Sequence, residues 1–200
     1  GYRIPEAGRS ARGQNIVNII PTDPGEKVSA MIAGRGVTED NYLVFVTRNG
    51  TVKRTAQSAF KNIRSNGIRA LSLDEGDELI SVLQTTGEDK ILLATHDGMA
   101  ICFAETDARA MGRDAVGVRG IRLREGDYVV GAGIAAEGAA ILSITENGYG
   151  KRTDVGEYSV QNRGGMGLKN YNVTDKTGPV ADVVIVTGDE DLLVISDDGT

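Results

Sequence analysis

Tryptophan is absent, cysteine and histidine occur once each, proline four times, and aromatic residues make up only 4% of the 200-residue sequence. Each scarcity excludes something. A single thiol, Cys102, cannot form an internal disulfide, which fits a reducing cytoplasm. It lies in "AICFA" with nothing basic beside it, and is expected to be a buried strand thiol rather than a nucleophile. A single histidine, His96 in "THDG", cannot complete a Ser-His-Asp or Cys-His set and reads as a surface turn residue. No stretch approaches about 18 uncharged apolar residues, and no basic leader precedes an apolar segment, so neither a membrane span nor secretion is expected. The Gly-rich pieces "GRG" and "GGMG" lack the Lys-Ser/Thr or the strand–helix context of nucleotide loops. The clustered carboxylates lack the ligand pattern of an EF-hand. No catalytic residue, metal or cofactor is expected.

Glycine, by contrast, is abundant at 27 residues, and 40% of the chain is hydrophobic, enough for a real core in one or two domains. Many glycines among β-branched runs point to a turn-rich β protein. The net charge of −6 argues against a uniformly basic surface and leaves room for one basic face on an acidic body.

Four turn signals recur: "RNG" ending at Gly50, "HDG" at Gly98, "ENG" at Gly148 and "DDG" at Gly199, spaced by 48, 50 and 51 residues. Asn-Gly and Asp-Gly favour two-residue hairpin turns whose central positions both need positive φ. Before each lies an apolar run, "LVFVT", "ILLAT", "ILSIT" or "LLVIS", ending in Thr47, Thr95, Thr145 or Ser196. A second mark is Gly13, Gly67, Gly117 and Gly167, opening "GQNIVNI", "GIRALSL", "GVRGIRL" and "GLKNYNV", each expected to be a half-buried strand. Between the marks come "KVSAMIA", "ELISVLQ", "YVVGAGI" and "VADVVIV", and after the turns "TVKRTA", "MAICFA" and "YGKRTD". The expected fold is all-β and propeller-like, one domain over 1–200 with units of about 1–60, 61–108, 109–160 and 161–200, each of four short antiparallel strands. Because the first and last units look incomplete, the chain reads as a piece of a longer array.

Charge follows the repeat. Acids gather in the loops "DEGDE", "REGD" and "GDED", whereas bases gather in the segments that link one unit to the next. These linkers hold Arg9 and Arg12, then Lys61, Arg64 and Arg69, then Arg109, Arg113, Arg119, Arg122 and Arg124, then Arg163 and Lys169. In a ring of blades equivalent segments lie at equivalent heights, so four basic linkers would form a positive belt. Phosphates are held by Arg, Lys and exposed backbone N–H groups without regard to base, and glycines let a duplex approach the main chain. The loop "QNRGGMG", with Arg163, Gly164 and Gly165, would be one grip in that belt. Lys53, Arg54, Lys151 and Arg152, in the matching stretches "VKRT" and "GKRT", would either extend it or be ordinary exposed strand residues.

Together "RSARGQNIVNI", "RDAVGVRGIRLREGD", "ENGYGKRT" and "QNRGGMG" resemble the C-terminal domain of DNA gyrase A, across essentially all 200 residues. The resemblance implies a β-pinwheel, a ring whose blades exchange a strand with their neighbours. It also implies a non-catalytic role in wrapping double-stranded DNA, supporting ATP-dependent negative supercoiling by a heterotetramer with gyrase B and a second copy of gyrase A. The family's signature box reads Q-R-R-G-G-K-G. Gln161, Arg163, Gly164, Gly165 and Gly167 match it, while Asn162 and Met166 replace two basic residues, so 161–167 reads as a degenerate echo of a box lying upstream. The related ring of the topoisomerase IV homologue of gyrase A is the close alternative. A protein-interaction propeller, which the acidic loops favour, is the other.

Overall fold

The computed structural model describes residues 6–8, 10–13, 15, 18–20, 22, 25–32, 40–62, 67–188 and 190–192. Among them the chain forms eleven strands and no α-helix: β1 (Tyr42–Thr47), β2 (Thr51–Ala56), β3 (Leu79–Thr85), β4 (Lys90–Thr95), β5 (Met99–Ala104), β6 (Val118–Arg119), β7 (Val129–Ile134), β8 (Ala140–Thr145), β9 (Gly150–Asp154), β10 (Leu168–Lys169) and β11 (Val180–Val186). All strand pairs are antiparallel. The fourth turn and the run "LLVIS" fall mostly outside the described residues.

Three of the expected turns close hairpins, β1–β2, β4–β5 and β8–β9, but by a different geometry. Within each turn only the glycine is left-handed, Gly50, Gly98 and Gly148 at φ 81°, 81° and 78°, and no described non-glycine residue has positive φ. The glycine N–H donates to the carbonyl of Thr47, Thr95 or Thr145 at 2.9–3.0 Å. Each loop is thus a type I turn followed by a left-handed glycine. The recurring hydroxyl explains itself here. Thr47 Oγ1 accepts from Thr51 N, Thr95 Oγ1 from Met99 N and Thr145 Oγ1 from Tyr149 N at 3.1–3.2 Å, which satisfies an N–H that the loop takes out of the ladder.

No hairpin completes a sheet alone. The sheets run β3-β1-β2-β6, β10-β5-β4-β7 and β11-β8-β9. In the first, β3 comes from the next unit of sequence and β6 from the one after. The second repeats this with β7 and β10. The expected strands after Gly117 and Gly167 shrink to the two-residue β6 and β10, and none forms over 67–74 or over 27–32. The ladder stops because the next two N–H groups converge on one acceptor: Gly120 and Ile121 on Gly50 O, Asn170 and Tyr171 on Gly98 O.

Sheet two is buried on both faces, which is why "ILLAT" is apolar without alternation. Ile91 and Leu93 join Val44, Val46, Val52 and Phe103 in one core, whereas Leu92 and Ala94 join Ile141 and Tyr158 in another. Strand β3 touches β7, and β7 touches β11. A Cβ on Gly131 or Gly133 would lie 2.6 Å from Val183 or 2.2 Å from Ile185, so β7 is smooth where β11 lies against it. Strands β3, β7 and β11 therefore form the edge at which sheets meet, and β6 and β10 the opposite, outer edge.

Gly167→Ala is expected to destabilise more than Gly126→Ala. Both glycines are left-handed, at φ 75° and 78°, which alone costs about 1–2 kcal/mol for alanine. Only at Gly167 would the methyl also meet a backbone oxygen, Ala100 O at 2.2 Å, while Gly126 has open space. Denaturant midpoints of the two variants check the order.

Candidate nucleic-acid interface

The outer edge is built from the linkers, and backbone geometry dictates where they run. Gly117 has φ 123° and leaves room for only 2.5 Å between a Cβ and Val52 O. Gly117 and Gly167 thus lay the linkers directly on β2 and β5. Successive linkers are then fastened to each other. Arg113 Nη1 donates to Arg69 O at 3.3 Å, and Ser72 Oγ to Asp114 O at 2.9 Å. One repeat further on, Arg163 Nη1 donates to Arg119 O at 3.0 Å, Gly164 N to Gly120 O at 2.6 Å and Arg122 N to Gly165 O at 2.8 Å.

The structure therefore brings Arg69, Arg113, Arg119, Arg122 and Arg163 into one run along the outer edge. Arg69, Arg109, Arg119, Arg122, Lys169, Lys61 and Arg12 are exposed, and Arg113 and Arg163 half-buried. Arg54 pairs with Glu105, and His96 lies within 3.3–3.5 Å of carboxylate oxygens of Asp97 and Glu146. None of Arg69, Arg109, Arg113, Arg119, Arg122, Arg163 and Lys169 is neutralised in this way, although Asp107 and Asp114 stand exposed in the same region. Arg9 and Arg64 lie outside the described residues.

Two groups behave differently from expectation. Arg163 has Nε on Asp107 O at 2.8 Å as well as Nη1 on Arg119 O, and left-handed Gly164 sits over Arg119. The loop "QNRGGMG" thus joins linkers as well as carrying charge. Lys53 and Arg54 are neither belt nor exposed strand. Lys53 is 1% exposed, with Nζ donating to Ala70 O at 2.7 Å and to Arg113 O, and burial lowers its pKa, opposed by Asp114 and aided by Arg113. Arg54 is buried over the Tyr42 ring at 3.8 Å, with Nε 3.1 Å from Glu105 Oε2. The fully buried Glu105 carboxylate also accepts from Thr85 Oγ1, Gly87 N and Asp89 N at 2.7–2.9 Å. At the equivalent places on β9, Lys151 and Arg152 are exposed, and Lys151 Nζ reaches Asn170 O at 2.5 Å.

The acidic loops have internal work that the sequence did not disclose. Asp77 Oδ1 accepts from Asn49 N and Glu78 N, and Asp127 Oδ1 from Asp97 N and Tyr128 N, at 2.8–3.0 Å. Each aspartate thereby caps the hairpin turn of the preceding unit, and the shared "EGD" of the two loops was its sequence signal. Glu190 instead closes its own loop, accepting from Thr187 N, Thr187 Oγ1 and Gly188 N, and those hydrogen bonds pull its carboxyl down to about 2. His96 stacks on Tyr128 at 4.4 Å with Nε2 3.3 Å from Glu146 Oε1, linking neighbouring turns. A nitrogen of its ring and the carboxylates of Asp97 and Asp127 lie within 4.8 Å of one another, but Asp127 is already used by the turn. Cys102 is 3% exposed, and burial raises its pKa against a small opposing pull from Lys90.

A ring segment of sheets completed by strand exchange, with fastened basic linkers along its outer edge, defines a propeller-type β-pinwheel. The family profile described as "DNA gyrase C-terminal domain, beta-propeller" matches residues 1–34, 41–86, 89–136 and 140–187, and the chain belongs to that family. The last three segments each contain one hairpin and the inner strand paired with it. The chain is 46% identical over 202 residues to DNA gyrase A of Staphylococcus aureus strains NCTC 8325 and COL. Those alignments take in 100% of this chain and 23% of the relatives' length. Among solved structures, the C-terminal domain of a DNA topoisomerase IV matches with a TM-score of 0.79 and 30% identity, covering 87% of this chain and 55% of that one. A DNA gyrase A C-terminal domain matches with 0.77 and 29%, covering 88% and 59%. No helix among the described residues is long and apolar enough to cross a membrane.

Two outcomes follow from the buried groups. Glu105→Gln leaves the Arg54 guanidinium buried without its counter-charge and is expected to cost about 3 kcal/mol of stability, read from chemical denaturation. Cys102 is expected to resist iodoacetamide at pH 8 in the folded protein and to react once the chain is unfolded, followed by mass spectrometry.

Proposed function

We propose that this chain binds double-stranded DNA along its outer edge, as a non-catalytic wrapping module of a gyrase A protein. One observation carries the reading: arginines from consecutive linkers meet in one run, Arg113 on the Arg69 carbonyl and Arg163 on the Arg119 carbonyl, free of carboxylate partners. Arg69, Arg109, Arg119, Arg122 and Lys169, exposed beside them, join Arg113 and Arg163 in the phosphate contacts, with Arg12, Lys61, Lys151 and Arg152 extending the track. Such contacts are blind to base identity. A curved track selects sequence only through the duplex's deformability. In the intact enzyme this module supports ATP-dependent negative supercoiling in the cytoplasm, with gyrase B and a second copy of gyrase A as partners. The 46% identity over the whole chain to gyrase A favours gyrase over the topoisomerase IV counterpart, whose domain has a similar shape. Asp77 and Asp127 work inside turns, which takes one carboxylate of each acidic loop out of the surface that favoured a protein-docking ring.

Binding should weaken steeply with salt, with a log–log slope of about −0.9 per neutralised phosphate. Reversing Arg113, Arg119 and Arg122 to Glu together should lower affinity and flatten the slope by about 2.7, since three phosphates would no longer be neutralised. Unchanged affinity in that variant would count against the belt. Relaxed circles ligated around the protein and then stripped should carry a consistent shift in linking number, whereas a ring that only docks proteins would leave none.

A further inference from the structure

The basic linkers need more than charge to follow one curve. They must be held at a set offset from each other, and a lysine inside the protein touches both the second and the third. Lys53 lies in the middle of β2, and its ammonium donates to two main-chain carbonyls, Ala70 O from the second linker and Arg113 O from the third. These are the linkers that carry Arg69 and Arg113, and Arg113 Nη1 itself reaches Arg69 O. The Lys53 side chain passes over the Phe45 ring, 5.8 Å from its centroid, and is shut off from solvent. It cannot touch a phosphate. An ammonium has three donors on a point charge, so it can hold two carbonyls of separate segments at once.

The arrangement recurs. Lys151, three residues past its turn glycine as Lys53 is, reaches Asn170 O, and residue 170 stands three places past Gly167 as Ala70 stands three past Gly67. In the middle sheet the position is Ile101, an apolar residue of the core that offers no such donor.

We propose that Lys53 is a positioning residue for DNA wrapping: its buried ammonium clamps two successive basic linkers so that Arg69 and Arg113 fall on one phosphate track. This rests on the DNA-binding reading above. The test is a double-mutant cycle in the salt dependence of duplex binding, using Lys53→Met, Arg113→Ala and both together, with thermal unfolding to confirm the folded state. Arg113→Ala alone should flatten the slope by about 0.9, and Lys53→Met by about 1.8 because both arginines leave the track. In the Lys53→Met background Arg113→Ala should then change nothing further. A lysine that mattered only for stability would leave the slope alone, and the two effects would add. A wild-type slope in Lys53→Met, or an equal effect of Arg113→Ala in both backgrounds, overturns the clamp while leaving DNA binding intact. Wild-type binding that ignores salt overturns the DNA reading and the clamp with it. If Lys53→Met shows no cooperative unfolding transition, Lys53→Gln, whose amide is a shorter donor, goes through the same cycle with the same criteria.

Discussion

The pairing of each hairpin with strands from later units is the constraint on which the rest depends. A two-stranded hairpin is marginal in water and exposes two edges of unpaired N–H and C=O groups. Here β1–β2 is closed on one side by β3 and on the other by β6, and β4–β5 by β7 and β10. Because β6 comes two units downstream, the chain must pass along the outer edge of one sheet on its way to the next hairpin. Those passages are the linkers. The exchange that satisfies the backbone is thus also what brings the basic segments to one perimeter.

Once there, the linkers are held by main-chain oxygens rather than by carboxylates. Arg113 and Arg163 donate to the carbonyls of Arg69 and Arg119, and Lys53 to those of Ala70 and Arg113. A carbonyl partner fixes a guanidinium in place without cancelling its charge. Among the acids, Asp77 and Asp127 are drawn into turn caps and Glu105 into the joint between two sheets, while Asp107 and Asp114 stay exposed beside the linkers without pairing with these arginines. An acidic protein can carry a cationic edge because the two signs have separate structural duties.

The two joints between sheets are not alike. Between the first and second, Arg54, Tyr42 and Glu105 fill the space with a buried pair whose lone pairs are taken up by Thr85, Gly87 and Asp89. The corresponding residues between the second and third are Cys102, Lys90 and Val155, and there a cleft of about 400 Å³ remains, lined by these three and by Tyr158. The matching parallel bridges, Arg54 with Ala110 and Cys102 with Val160, show that the backbone frame is the same at both. The difference lies in side chains alone.

Much of this was legible in residues. The turn glycines, the threonine before each turn and the apolar runs marked the three hairpins, because those features act within a dozen residues of one another. The glycines at 117 and 167 were visible too, but not their reason, since the oxygens they avoid, Val52 O and Ala100 O, lie far away in sequence. Lys53 and Lys151 read identically, "VKRT" against "GKRT", yet one is buried as a clamp and the other exposed. Sheet one has both borrowed strands in place, whereas the described part of sheet three ends at β9. The amino-acid sequence by itself determined the repeat, its hairpin strands and the sign of charge on each linker, all local properties of chain and composition. Which strands pair, which lysine is shut from water and whether the arginines meet depended on distant segments of the chain coming together, and only the tertiary structure decided that.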